Sequence, residues 1–532
     1  MLQREIKGII IYPPNQLMDI ETPRPDGSLG PLYLAAALEK RGVATDILDA
    51  TVGGPNHTLE QTFYRTEKQE NGLIRIGMGF EEIAHYVAQG GYDFVGISSN
   101  FTPQTNMAIQ TAKAIKGSNN SLPVFLGGVN GRALKDKFLA SGYFDGICLS
   151  EGEVIFPMMV ESHFQNRSLE GVPGVAYEMG GKIRTNPVKS SSLITSLDDL
   201  AMPTWDKLPT DKYAMIDSPH GVMANEKRRG NRYAPIMTSR GCPYHCAYCH
   251  ISTEKSKDST TGGIGVLRAH SLDRVLQEMD KLKSLGVERL FFEDDSLLPH
   301  KARTKEIFRL TKGNGFTIAN VNGVNLIHLY NKNDTRPDGT WEIDFDYLNI
   351  LKEAGFDQIV FPAESGNERI INKYASGKVI PGKMDLPYLM SAMTDRGIAA
   401  PVNMMIGFPD EEESEIHQSI EFAKRLRDAG APYVTFFIPI PFPGSKLYTM
   451  AVNEGYLPTD FDPDHMNWKR PVMQNTSVHP ERLIEIRDSA NQQVNTDKHI
   501  AGRLKQSIGH RWQSNEINGN TLKISPSLFI NA

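Results

Sequence analysis

Cysteine is nearly missing from this chain: there are four in 532 residues, and three of them fall between positions 242 and 249. So few, so clustered, exclude a disulfide framework and indicate metal binding or catalysis in a reducing compartment, so a cytoplasmic protein is expected. Long apolar runs are also missing. None approaches the roughly 18 residues of a membrane span. The opening MLQREIKGIIIYPPNQ mixes both charge signs before a short apolar run stopped by prolines, which reads as a first strand and not as a signal peptide. Net positive charge is absent: the chain carries −6 with a pI near 6.2, so no general grip on nucleic acid is expected. No GxGxxG follows the first strand, which argues against a nicotinamide or flavin site. There is no fixed-period repeat and no low-complexity tract. What remains, at 40% hydrophobic and 23% charged, is an ordinary globular composition with length for about two to four domains.

The apolar pattern divides the chain into regions. In residues 1–155, KGIIIY, ATDIL, DFVGIS, PVFLGG and DGICL read as short strands between the helices PLYLAAALEKRG, PQTNMAIQTAKAIKG and ALKDKFLASG. This alternation predicts an α/β domain with a doubly wound, Rossmann-like parallel sheet whose ligand lies at the carboxyl ends of the strands. Residues 156–230 read as a linker region: GGKIRTNP as a hairpin, SLDDLAMPTWDKLP as an extended segment, and a polar loop with the basic run Lys227 to Arg229. That run reads as a solvated loop, with a substrate phosphate or carboxylate as the alternative. Residues 231–450 resume with about six βα units, the pattern of a partial (β/α)6 barrel with its chemistry at the strand C-termini. Residues 451–532 form a small mixed C-terminal region.

The cysteines are spaced Cys-x3-Cys-x2-Cys (Cys242, Cys246 and Cys249) in TSRGCPYHCAYCH, directly after a predicted strand. Structural zinc takes four ligands, and a Cys3His site would need His245 or His250 from the loop itself. Iron–sulfur clusters are held by thiolates, usually four. Three would leave one iron open to an exogenous ligand.

The loop resembles that of the radical S-adenosylmethionine (SAM) enzymes, with CxxxCxxC and an aromatic residue, here Tyr248, before the last cysteine. The resemblance implies a [4Fe–4S] cluster on the three cysteines and SAM on the open iron, cleaved by one-electron reduction to methionine and a 5′-deoxyadenosyl radical. It also implies SAM contacts from Tyr248, from Glu293 and Asp294 in FFEDDS, from Glu364 and Ser365 in FPAESG, and from Met405 and Gly407 in MMIGFPDE. An external one-electron reductant such as flavodoxin follows from the same chemistry.

A doubly wound domain directly before such a barrel resembles the cobalamin-binding radical SAM family. The matching segments are PLYLAAALEKRG, SSNFTPQTN, LGGVNG and FDGICLSEGE. The resemblance implies cobalamin contacts from Ser98, Ser99, Thr102, Gln104, Gly127, Gly128, Asn130, Glu151 and Gly152. No Asp-x-His-x-x-Gly is present, and Val129 and Asn130 follow the glycine pair where relatives often have histidine, so a cobalt without a histidine beneath it is expected. Cys148, in an apolar strand, reads as a buried structural thiol. The implied activity is methyl transfer from methylcobalamin to an unactivated carbon or phosphorus of a small natural-product or phosphonate-type intermediate, after hydrogen abstraction by the deoxyadenosyl radical. Cyclisation, rearrangement or oxidation on the same scaffold is the alternative. A tRNA- or peptide-modifying enzyme fits the acidic balance poorly, and a cobalamin sensor leaves the cysteine loop unexplained. Tyr433, Tyr448 and His328 are candidate auxiliaries, and Trp468, Lys469 and Arg470 candidate contacts to an anionic substrate. No general acid or base is assigned.

Overall fold

The computed structural model describes residues 6–18, 21, 27–166, 168–216, 230–375, 377–467 and 470–501. Lys227 to Arg229, Trp468 and Lys469 lie outside them.

The first domain is built on a seven-stranded sheet. Its parallel part runs in the spatial order Gly146–Cys148, Val124–Gly127, Phe94–Ser98, Lys7–Tyr12, Ala44–Asp49. These strands are short and buried on both faces, as the unbroken apolar runs require. Helices Phe80–Gly90 and Thr105–Ser118 pack on one face with Ile9, Val95 and Leu126. Helices Leu29–Glu39 and Gly152–Asn166 cover the other with Ile10, Phe94 and Phe125. The sheet does not stop at residue 155. The boundary falls inside helix Gly152–Asn166, and the hairpin Val175–Met179 and Lys182–Thr185 joins the sheet edge antiparallel to Gly146–Cys148. A small three-stranded sheet of Asn15–Leu17, Ile74–Ile76 and Thr66–Lys68 was not expected, because its strands are only three residues long.

The segment read as an extended linker is a packed strap. Trp205 is fully buried, and its indole N–H donates to the Pro235 carbonyl at 2.9 Å, fixing the strap to the first barrel strand. Helix Thr210–Ile216 follows, with the Tyr213 hydroxyl on Asp49 at 2.7 Å.

The barrel is partial and opens in the expected order. Parallel strands Tyr233–Ile236, Arg289–Phe292, Thr317–Asn320 and Phe356–Ile359 form one sheet. Phe361–Glu364, Val402–Met405 and Val434–Phe437 form the next. Only Val360 separates the two sheets, so the fourth strand changes sheet partway along. Helices Leu272–Ser284, Lys301–Thr311, Phe345–Ala354, Leu386–Asp395 and Glu413–Asp428 alternate with the strands and share one core with them. Among the described residues, no helix is long and apolar enough to cross a membrane.

Candidate active site

The cysteine loop leaves the first barrel strand and is pinned before the first thiol is reached. Ser239–Arg240 pairs with Arg268–Ala269. Asp294, from the end of the second strand, accepts from Thr238 N at 3.0 Å, Thr238 Oγ1 at 2.8 Å and Ser239 Oγ at 2.6 Å. Burial pushes the Asp294 carboxyl up to about 6 against these donors. Its oxygens therefore brace the loop. The neighbouring Asp295 is the one whose exposed side chain opens to solvent, and its Oδ2 accepts from Gly241 N at 2.8 Å. Glu293 is half-buried, beside these two.

Cys242, Cys246 and Cys249 lie within electrostatic reach of one another. Burial pushes the Cys249 thiol up to about 12 and raises Cys246 as well, where the nearby Lys378 ammonium opposes the rise. Bound iron deprotonates such thiols outright. Among the described residues, no three His, Cys, Asp or Glu side chains converge on one metal ion. His245 is exposed beside Lys255 and Lys446, and His250 sits near Glu254 and Asp295. Neither histidine joins the thiols, so the donor set fits a multi-iron cluster better than a single zinc.

Two lysines that the sequence reading missed flank the triad. Lys378 pairs with Glu364 and sits in the field of Cys246 and Cys249. Lys255 donates to the Tyr244 carbonyl and feels all three sulfurs. Nothing in the patterns ASGK or STEKSK marks them, because the chain reaches the site through long loops. Glu364 is buried with φ +64°, a conformation costly for a residue with a Cβ. That turn aims its carboxyl toward the cysteine loop. The Tyr248 hydroxyl is buried, with the Cys246 thiol and the Glu364 carboxylate as its hydrogen-bonding neighbours. A buried hydroxyl, a carboxylate and a thiol gathered at one point fit a polar ligand such as SAM there. Ser365 is committed elsewhere, to Ser419 Oγ at 3.0 Å and Asn367 N at 3.1 Å. Met405 is half-buried, and Gly407 turns at φ +91° against Leu483 of helix Pro480–Val494.

At the first domain's mouth, the residues read as cobalamin contacts serve mainly one another. Asn130 donates to Ser99 Oγ at 2.9 Å and to Thr105 Oγ1 at 3.0 Å. Gln104 and Gln16 exchange bonds at 2.8 and 2.9 Å. Ser98 and Thr102 are buried, and a Cβ on Gly152 would strike Leu34. Gly128 sits at φ +97°, where a Cβ would strike the Ser99 carbonyl, whereas Gly127 faces space that a Cβ would scarcely fill. Phe101, in the neighbouring loop after Phe94–Ser98, stands 47% exposed. An open glycine shelf and an uncovered aromatic ring, with no histidine in these strand-end loops, fit a large flat cofactor held by shape.

Glu151 looks away from this mouth and toward the barrel. Arg268 Nη1 donates to it at 2.8 Å, and Arg240 lies at 3.8 Å. Arg240 also bonds Glu153 at 2.5 Å and stacks over Tyr33. Arg132 holds Glu254 through two bonds at 2.6 and 3.0 Å, and Ser150 Oγ donates to Thr261 O at 2.6 Å. Buried charge pairs of this kind are costly to break once made. They clasp the two strand mouths together across the cysteine loop. Cys148 is buried, as expected.

Of the auxiliaries, His328 Nε2 meets the Tyr244 hydroxyl at 3.2 Å, close to the triad. Tyr433 stacks on His499 at 4.6 Å, and Tyr448 packs on Phe461. Arg470 is exposed.

Comparison with known families fits both halves of this geometry. The B12-binding domain model matches residues 27–160, and the radical SAM superfamily model matches residues 236–441. The chain belongs to the cobalamin-binding radical SAM family. These domains imply a [4Fe–4S] cluster, SAM and cobalamin as its cofactors. This cobalamin-binding radical SAM protein is 28% identical to an uncharacterised methyltransferase of Pyrococcus horikoshii, over 76% of this chain and 79% of the relative. It is 24% identical to the cytidylyl-2-hydroxyethylphosphonate methyltransferase of Streptomyces wedmorensis, over 97% and 94%. The solved structure of the radical SAM methyltransferase TsrM from Kitasatospora setae, with cobalamin and a [4Fe–4S] cluster bound, shares its fold at TM-score 0.59 and 15% identity, covering 85% of this chain and 75% of that one.

Proposed function

We propose that this protein is a cobalamin-dependent methyltransferase that adds a methyl group to an unactivated carbon or phosphorus of a small phosphonate-type or natural-product intermediate. The observation that carries the reading is the clasp. Arg240, two residues before the first cluster cysteine, is gripped by Glu153 at the mouth of the B12-binding sheet. A methyl carrier and a radical source must face one substrate, and this pair holds their two loops in a fixed relation. Cluster-bound SAM supplies the hydrogen-abstracting radical, and cobalamin carries the methyl group. The chain's own part is to position and to exclude water. Asp294 braces the cysteine loop, the Glu364–Lys378 pair and Tyr248 offer polar contacts to SAM, and the apolar group of Phe442, Tyr448, Phe461 and Met466 walls the cysteine loop. The phosphonate assignment leans on the Streptomyces relative and on the cationic Lys255 and Lys446 near the loop.

The test is an anaerobic assay of the reconstituted protein with hydroxocobalamin, SAM, a reductant and cytidylyl or free phosphonate acceptors. Methylated product with equal amounts of S-adenosylhomocysteine and 5′-deoxyadenosine is expected. Deoxyadenosine formed with a changed but unmethylated substrate would replace this reading with cyclisation or rearrangement.

A further inference from the structure

A chain of buried polar groups ends on one sulfur of the triad. Ser239 Oγ donates to Asp294 at 2.6 Å and lies 3.3 Å from the Ser296 carbonyl. Asn325, in the loop after the third barrel strand, donates through Nδ2 to Ser296 Oγ at 2.5 Å. The same nitrogen lies 3.9 Å from Cys242 Sγ. Ser296 and Asn325 are both buried. A carboxamide nitrogen carries two hydrogens, so one bond to oxygen leaves the second free for sulfur. The opposite flip would turn Oδ1, an acceptor, against an anionic sulfur.

We infer that Asn325 donates a hydrogen bond to the Cys242 thiolate and thereby raises the reduction potential of the cluster. The inference rests on reading the triad as a [4Fe–4S] ligand set. One-electron reduction adds negative charge that spreads onto the ligating sulfurs. A fixed N–H dipole aimed at one of them favours the reduced state, and hydrogen bonds to cluster sulfur are a recognised control of potential. Lys255 and Lys378 give a broad positive field over the triad. Asn325 acts on one sulfur, and Ser296 keeps its amide from rotating away. The FFEDDS and NVNGVN segments thus share a task. The first sets the loop through Asp294, and the second sets the electron affinity of what the loop holds. Asn325 is a positioning residue, not a catalytic one.

The test compares wild type with Asn325→Leu and Asn325→Asp, reconstituted anaerobically, without SAM or substrate. Midpoint potentials are read by redox titration of the cluster's EPR signal. Asn325→Leu is expected to disfavour reduction about tenfold, about 59 mV for one electron. Asn325→Asp, similar in shape but anionic, should shift it further the same way. Variants with full iron and sulfide content and an unchanged potential would overturn the inference. A measurement on the unmutated chain guards against variants that lose the cluster. Pulsed EPR of the reduced cluster in protein labelled with 15N-asparagine should show a weak nitrogen coupling, and its absence would overturn the inference equally. Failure of the wild type to assemble any [4Fe–4S] cluster would instead overturn the ligand-set reading beneath it.

Discussion

The barrel mouth and the first domain's mouth hold their cofactors on different terms. At the barrel, three side chains of one type occupy a fixed spacing, and the loop around them is braced by Asp294. At the first sheet, Ser99, Thr105, Asn130, Gln16 and Gln104 spend their hydrogen bonds on each other, leaving a glycine shelf and Phe101 facing outward. A cluster is bound through covalent ligands, so its site depends on identity. A corrin is bound through shape and backbone, so its site depends on conformation. Side-chain deletion should therefore be decisive at one mouth and mild at the other.

The largest expected effect comes from Cys246→Ala. Two thiolates cannot retain the cluster, so iron, sulfide and deoxyadenosine formation should fall to background. Cobalamin retention after desalting, read from the visible spectrum, should stay near one per chain. Loss of cobalamin as well would show that the clasp, and not each mouth alone, supports the first site.

This difference also explains what could be read from the sequence. The cysteine spacing is local, eight residues long, and needed no tertiary information. Strand–helix alternation was legible because buried parallel strands are continuous apolar runs. Lys378 and Asn325 were not legible, since each reaches the triad from a separate loop, and Lys255, six residues past Cys249 in the cysteine loop itself, carries no pattern of its own. Asp294 was legible as a strand-end carboxylate, but its work in bracing Thr238 and Ser239 depends on a contact between residues 55 and 56 positions apart. At the first mouth, residue types pointed to the strand-end loops, while the internal bonding of Ser99 and Asn130 emerged only from their packing. The hairpin at 175–185 was recognised as a hairpin, yet its membership of the first sheet is a pairing that spacing cannot reveal.

A pair of glycines sharpens the comparison. Gly128 and Gly407 stand at φ +97° and +91°, one at each mouth. A Cβ on Gly128 would lie 2.3 Å from the Ser99 carbonyl oxygen, which is backbone and cannot yield. A Cβ on Gly407 would meet the Leu483 side chain, which can rotate. Both alanine variants carry the left-handed cost of about 1–2 kcal/mol, but only Gly128→Ala must also move a strand end. Cobalamin affinity should drop about tenfold or more in Gly128→Ala, at about 1.4 kcal/mol per tenfold. Gly407→Ala should lower thermal stability while leaving cobalamin affinity unchanged. Equal cobalamin affinities in the two variants would mean that shelf shape is not what holds the corrin.

The smallest effect separates the mouths by pH. Burial pushes Glu411 up to about 8, although its Oε2 accepts from Gly407 N at 2.7 Å and Phe408 N at 3.1 Å; Glu415 adds to the rise and Arg369 opposes it. At the other mouth, burial pushes Asp464 up to about 6, against the bond from Asn106 N at 3.0 Å; Asp462 adds to the rise and Lys137 opposes it. Both carboxyls hold their protons more tightly folded than unfolded, where ordinary values are about 4.3 and 3.9. Each therefore contributes stability that is full below its unfolded value and lost as pH rises through its folded one. For Asp464 that window runs from about pH 4 to 6, and for Glu411 it extends to about pH 8. Melting temperatures of the anaerobic apoprotein should fall with rising pH across these windows. Glu411→Gln should flatten the upper part and Asp464→Asn the lower, each by about 2–4 °C for every kcal/mol removed. If Glu411→Gln keeps the wild-type slope between pH 6 and 8, the Gly407 turn is not resting on a protonated carboxyl, and the barrel mouth owes its shape to Leu483 instead.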